Sequence, residues 1–307
     1  MQPLVIDAAE LTRLLPITDA IDALDRAFRG SLPAAPQRAR VEVPGGELLL
    51  MPSVGASAFG VKLVTVADEA PDRQLPLVQA AYALFDSPGL SPIALIDGTA
   101  LTTLRTAAVS ALATRYLARS ESRSLTIIGA GVQGNAHLDA MMMVRPIEVV
   151  WVVSRSTARA EELVARATEL GLHAAIAEPD AVSQSDIVCT CTTSAVPVFD
   201  GALLSPGAHV NAIGAYQPED RELDDLTIKR GHIVVETREV ALAEAGDLLI
   251  PLRRGVIEPA DIVADLAEVV RGHPVRRSDT DITVFKSVGV ALEDLVVATA
   301  VMERVGA

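Results

Sequence analysis

The segment Leu125-Thr-Ile-Ile-Gly129-Ala-Gly131-Val132-Gln133-Gly134 constrains the fold of this chain more than any other. An apolar run reads as a buried strand, the pattern G-x-G-x-x-G follows it, and Asn135-Ala-His-Leu138 opens a helix. In that setting Gly129 permits a tight turn, Gly131 lets the backbone approach a pyrophosphate, and Gly134 lets the helix pack on the strand. Free N–H groups at the helix start receive the phosphates. Further strands are expected at Glu148 to Val153, Asp186 to Thr190, His209 to Ile213 and His232 to Glu236, separated by helical stretches such as Thr157 to Leu170. Strand and helix in turn imply a parallel sheet with crossover helices, so the pattern reads as dinucleotide binding rather than a ligand-free glycine turn.

The second strand of this region ends in Ser154-Arg155-Ser156, where an NAD-preferring site usually places a carboxylate for the ribose 2′-OH. A guanidinium between two hydroxyls can pair with a 2′-phosphate and stack on adenine, which makes NADP(H) the preferred cofactor, with NAD(H) possible. The alternative is that Arg155 is a solvated loop residue.

Upstream, Asp7 to Phe28 carries apolar residues at helical spacing, interrupted at Pro16, and predicts two short helices. Between Pro33 and Asp97, short apolar runs punctuated by Gly and Pro (Glu47–Pro52, Gly60–Val66, Val78–Phe85, Pro92–Asp97) predict one mixed or antiparallel sheet. A helix follows from Thr102 to Arg119. At the other end, Asp281 to Lys286 reads as a strand and Gly289 to Arg304 as an amphipathic helix, which can continue the second domain or fold back onto the first.

Charge narrows the partners. Lys plus Arg total 26 against 40 Asp plus Glu, a net charge of −14 that repels phosphate backbones and anionic membranes, so neither nucleic acid nor a membrane is an expected partner. No apolar run approaches the ~20 residues of a membrane span, and Met1-Gln-Pro-Leu-Val-Ile-Asp7 has no basic leader pattern, which predicts an unexported, cytoplasmic protein. Cys189 and Cys191, two apart on one strand, read as reduced core thiols. The histidines lack metal-ligand spacing, so no metal site is expected, and His209 reads as a satisfied interior residue. Ser194 and Ser287 lack a nucleophile elbow.

Only Lys62, Lys229 and Lys286 are lysines. Lys62 shares a strand face with Val64 and Val66, where an ammonium is expensive to bury without an anionic partner, a substrate among the candidates. Arg105 is expected at the start of a helix of small residues, where its charge opposes the helix dipole unless an anion is near. Arg38, before the first predicted strand, has less local distinction. Each cation alone fits a structural ion pair; Lys62 and Arg105, misplaced in one domain, favour a small carboxylate ligand.

At these residues the chain resembles the ornithine cyclodeaminase and mu-crystallin family along nearly its whole length. The stretches that carry the resemblance are Leu50-Met-Pro52, Gly60-Val-Lys62, Asp97-Gly98, Leu101 to Ala108, Gly129 to Gly134, Gly214 to Leu223, Phe285 to Gly289 and Leu292-Glu-Asp294. The resemblance implies an α/β homodimer in which a Rossmann-type doubly wound parallel sheet (115–280) is inserted into a discontinuous mixed α+β substrate and dimerisation domain (1–114 plus 281–307). It implies that Arg38, Lys62 and Arg105 hold the carboxylate of an amino or imino acid, and that Thr106, Val132, Gln133, Thr192, Ile213, Gly214, Ser287 and Val288 contact the cofactor. Cyclodeaminases have an aspartate shortly after the glycine matching Gly214; here Tyr216 stands in that place, as a proton donor or a pocket wall. That departure argues against ornithine cyclisation and leaves reduction of a small 2-imino acid, of ketimine or pyrroline-2-carboxylate type, to the L-amino acid as the expected activity. The alternatives are amino-acid oxidation, as in alanine dehydrogenases or ornithine cyclodeaminase itself, and NADPH-dependent ligand binding of the mu-crystallin kind.

Overall fold

The computed structural model describes residues 2–67 and 78–306, and the chain divides into two units, Met1–Ala108 with Val290–Ala307 and Val109–Gly289. The first unit is built on a six-stranded sheet of β1 (Leu4–Ile6), β2 (Ala39–Val43), β3 (Gly46–Val54), β4 (Ala58–Ala67), β5 (Val78–Asp86) and β6 (Pro92–Asp97). Its order is β1-β6-β5-β4-β3-β2, with β1 parallel to β6 and every other pairing antiparallel, the mixed sheet that the Gly- and Pro-punctuated runs predict. The two short helices are α1 (Ala8–Leu14) and α2 (Ile17–Arg29); Asp7 caps the first by accepting from Glu10 N at 2.8 Å. Helix α3 (Gly98–Leu117) begins earlier than the sequence suggests, because Asp97 accepts from Thr99 N and Ala100 N, both at 2.9 Å.

The second unit carries eight parallel strands: β7 (Ser124–Ile128), β8 (Val149–Val153), β9 (His173–Ile176), β10 (Ile187–Thr190), β11 (His209–Ala212), β12 (Gly231–Val235), β13 (Ile262–Asp265) and β14 (Ile282–Lys286). The order β13-β12-β14-β11-β10-β7-β8-β9 reverses between β7 and β10, the switch point at which open α/β sheets bind ligands. Helices α4 (Val132–Val144), α5 (Thr157–Glu169), α6 (Asp225–Arg230), α7 (Arg238–Glu244), α8 (Gly246–Arg253) and α9 (Leu266–Val270) alternate with the strands. Strands β9 and β13, each of four residues, are the two ends of the sheet.

One boundary differs from expectation. Strand β14, grouped above with the first domain, is an inner strand of the parallel sheet, between β11 and β12, and all five of its residues are buried. Burial on both faces is what an inner parallel strand requires. The chain rejoins the first unit only at Val290, as α10 (Ala291–Val305), which packs on β3 and β4.

His209 is a satisfied interior residue: Nδ1 lies 2.9 Å from Thr283 Oγ1, and burial pulls its pKa down to about 3, so the ring is neutral. Both cysteines are free thiols; Cys189 is buried in β10 and Cys191 follows that strand. Among the described residues no helix is long and apolar enough to cross a membrane.

One side chain fastens the C-terminal end of α3 and the residues just after it. Arg145 donates to the carbonyls of Thr114 and Arg119 at 2.7 Å, Ala118 at 2.8 Å and Arg115 at 3.1 Å. Arg145→Met is expected to lower unfolding stability by about 2 kcal/mol, read as a shifted urea midpoint with an unchanged slope, because it removes the hydrogen bonds that a half-buried guanidinium donates to these four carbonyls.

Candidate active site

Alternation along β4 puts Gly60, Lys62 and Val64 on one face, and α10 covers that face, with Leu49, Met51, Val64 and Ala291 forming an apolar cluster beside it. Lys62 is 1% exposed. Its anionic partner comes from α10, whose first turn carries Glu293 and Asp294, both fully buried and both suited to the positive end of a helix dipole. Lys62 Nζ lies 2.9 Å from Asp294 Oδ1 and 2.8 Å from Oδ2. Arg105 Nη1 lies 3.0 Å from Glu293 Oε2, and Arg105 Nε lies 3.2 Å from Asp294 Oδ1. Arg38, half-buried ahead of β2, is near enough for its charge to act on Lys62.

The three cations implied as carboxylate ligands therefore converge in the first unit. Burial and the Arg105 charge, with a smaller push from Arg38, pull the Lys62 pKa from 10.5 to about 8, although Asp294 works in the opposite direction. Asp294 alone does not restore an ordinary lysine. The helix-start argument for Arg105 does not hold: α3 begins at Gly98, so Arg105 is interior to the helix and its partners are the acids of α10 rather than the dipole. Tyr216 lies in the second unit, half-buried against the apolar cluster that includes Val288 and Leu248.

In the second unit the glycines have the roles their spacing predicts. Gly129 has φ +106°, and a Cβ there would sit 2.4 Å from the Cys191 carbonyl oxygen; a Cβ on Gly134 would sit 2.0 Å from the Gly129 carbonyl oxygen. At Gly131 a Cβ would meet open space, so this glycine shapes a surface rather than a packed contact. Gly131 is also the N-cap of α4, and no side chain caps that end. The buried Gln133 Oε1 has no partner among the described residues. The uncapped N–H groups at this helix start, reached across the open space at Gly131, fit a dinucleotide pyrophosphate. At the end of β8, Ser154 is half-buried, Arg155 is exposed, and Ser156 caps α5 by accepting from Arg159 N at 3.4 Å. Thr106 is buried on α3, in the first unit; Ile213 and Gly214 follow β11, and Ser287 and Val288 follow β14.

Two buried carboxylates that the sequence reading does not single out organise these loops. Glu222 accepts from Thr192 N and Oγ1 and Gly214 N, all at 2.7 Å, and from Thr190 Oγ1 at 2.8 Å. Burial pushes its carboxyl pKa up, against the nearby Lys286 ammonium, and Lys286 in turn lies 2.7 Å from Asp247 Oδ2. Glu236 accepts from Ser287 Oγ at 2.7 Å, Val288 N at 2.9 Å and Gly289 N at 3.0 Å. The rarity of lysine was the available signal for this network, since Lys286 is one of only three.

Comparison with known proteins agrees with this geometry. Residues 1–307 match the sequence model of the ornithine cyclodeaminase/mu-crystallin family. A Delta(1)-pyrroline-2-carboxylate reductase of Bacillus cereus is 36% identical over 320 residues, which cover 98% of this chain and 96% of that protein. The structure of Thermococcus litoralis Delta(1)-pyrroline-2-carboxylate reductase in complex with NADH and L-proline superposes with a TM-score of 0.94 at 36% identity, covering 98% of this chain and 97% of that one. An archaeal alanine dehydrogenase dimer with bound NAD gives a TM-score of 0.94 at 32% identity, covering 99% and 96%.

The Glu222 carboxylate accepts every one of these hydrogen bonds, so an amide in its place would point N–H groups at N–H groups. Glu222→Gln is expected to weaken nicotinamide dinucleotide binding on the order of ten-fold, measured by quenching of protein fluorescence in a cofactor titration.

Proposed function

The chain belongs to the ornithine cyclodeaminase/mu-crystallin family, and on that premise we propose that it is an NAD(P)H-dependent reductase that converts a small 2-imino acid, of ketimine or pyrroline-2-carboxylate type, into the L-amino acid. The observation that carries this reading is the meeting of Lys62 and Arg105, from two separate stretches, at one buried face of the first unit, near enough to Arg38 for its charge to act on Lys62. Gathering cations in a low-dielectric setting is unfavourable without anions, and a substrate carboxylate adds one. L-proline, held by the Thermococcus litoralis relative, carries such a carboxylate.

The residues of this chain would act by binding and orientation. Lys62 and Arg105 hold the carboxylate and so fix the adjacent C=N carbon; protonation of the imine nitrogen makes that carbon electrophilic. A reduced nicotinamide, when bound by the second unit, supplies the hydride. Tyr216 in place of the cyclodeaminase aspartate leaves no carboxylate there for a second amine, which favours reduction over cyclisation. The exposed guanidinium of Arg155 at the end of β8 supports NADPH over NADH. A homodimer is supported by the face of the first sheet that points away from α10, where Val5, Leu95, Ala83, Val61 and Pro52 stand in one register row and Val5 is 72% exposed.

Lys62→Met is expected to raise the KM for 1-pyrroline-2-carboxylate on the order of a hundred-fold and to lower turnover, in a variant shown by circular dichroism to be folded. Unchanged kinetics would remove Lys62 from the site. The charge of Lys62 is present below about 8 and lost above it, so L-proline binding to the wild-type protein weakens as the pH rises through that value. Calorimetric titration across the range checks the sign. NADPH is expected to bind more tightly than NADH, and Arg155→Ala to erase the difference; the reverse preference in the wild type defeats the assignment of Arg155.

A further inference from the structure

Tyr82 is fully buried, and its hydroxyl has no hydrogen-bond partner among the described residues. A sealed, unsatisfied hydroxyl is destabilising, and Tyr82→Phe would be the simple remedy unless the oxygen is used in another state. Its position says which state. Tyr82 is the register partner of Lys62 across β4 and β5, so the two side chains stand on the same face. The ring leans over Gly60, where a Cβ would lie 2.3 Å from the hydroxyl oxygen; the absence of a side chain at Gly60 makes room for the phenol. Burial, and behind it the Asp294 charge, push the phenol away from ionisation, so it keeps its proton.

The ion pair of this face is Lys62 with Asp294. Lys62 spends its ammonium on Asp294, and Asp294 Oδ2, although 2.8 Å from Nζ, receives no aligned hydrogen bond. A carboxylate arriving at Lys62 and Arg105 has to draw them from Asp294, which would leave that buried acid short of donors. We infer that Tyr82 is a positioning residue for the carboxylate site: when Lys62 turns to a bound carboxylate, the Tyr82 hydroxyl becomes the donor to Asp294. The exchange leaves the acid with a donor when the lysine turns away and lowers the cost of moving it. It rests on the reading of this face as the substrate-carboxylate site.

The test uses the full chain with NADPH, 1-pyrroline-2-carboxylate as substrate and L-proline as a binding probe. Tyr82→Phe is expected to raise KM on the order of ten-fold while leaving kcat within about two-fold, the pattern of a lost contribution to binding. Thermal stability without ligand stays equal or rises, since an unsatisfied hydroxyl has gone, and the stabilisation conferred by L-proline shrinks. In a double-mutant cycle with Lys62→Met, the Tyr82→Phe effect disappears, because the hydroxyl acts through the lysine. Additive effects would mean that Tyr82 touches the ligand itself, and an unchanged KM with lowered stability would mean that it only packs; either result overturns the inference. If Lys62→Met does not fold, the L-proline-induced thermal shift of Tyr82→Phe decides alone: a shift equal to that of the wild type overturns it. A wild-type protein that neither turns over the imine nor is stabilised by L-proline defeats the functional reading as well, whereas an active wild type with an indifferent Tyr82→Phe defeats the inference only.

Discussion

The first unit depends on one buried ion network. Lys62, Arg105, Glu293 and Asp294 are nearly or fully removed from solvent, and each is tolerable there only because the others are present. Removing one partner from such a pair leaves an uncompensated charge, worth roughly 3–5 kcal/mol. The apolar cluster of Leu49, Met51, Val64 and Ala291 seats α10 on the sheet, but the acids settle which of its turns faces β4. Their place in the first turn of α10 serves the helix as well, since the dipole prefers negative charge there.

The second unit repeats the device with different parts. Lys286 answers Asp247, Asp247 Oδ1 accepts from Glu222 N and Leu223 N at 2.8 Å, and Glu222 gathers donors from the loops after β10 and β11. A carboxylate that takes several backbone N–H groups fixes loop positions far more tightly than apolar contact does, because hydrogen-bond geometry is directional. In a chain of net charge −14 with three lysines, two of them are buried in ion pairs, which sets them apart from a solvated charge face.

Much of this was legible in the sequence. The parallel sheet followed from Gly129, Gly131 and Gly134 and from the alternation of apolar runs, because burial on both faces writes β-branched stretches that periodicity finds. Lys62 was legible as a misplaced cation for the same reason. Its partner was not: Glu293 and Asp294 sit inside an apolar helix, where adjacent acids read as a first-turn preference, and nothing local says that a strand 232 residues away supplies the counter-charge. Arg105 was singled out on a helix-end argument that the capping of α3 by Asp97 displaces, so the residue was found by a reason that does not apply to it. Glu222 was hidden because its partners are mostly backbone N–H groups, which carry no sequence signature.

The long separation between Lys62 and Asp294 also bears on how the protein is made. During synthesis β4 leaves the ribosome well before α10, and the whole second unit is translated in between. Until α10 is made, Lys62 and Arg105 lack the acids that receive them in the folded protein. The buried pairs therefore form only when the last helix docks, and charge on an uncovered strand face is a general device against strand-to-strand association before that point.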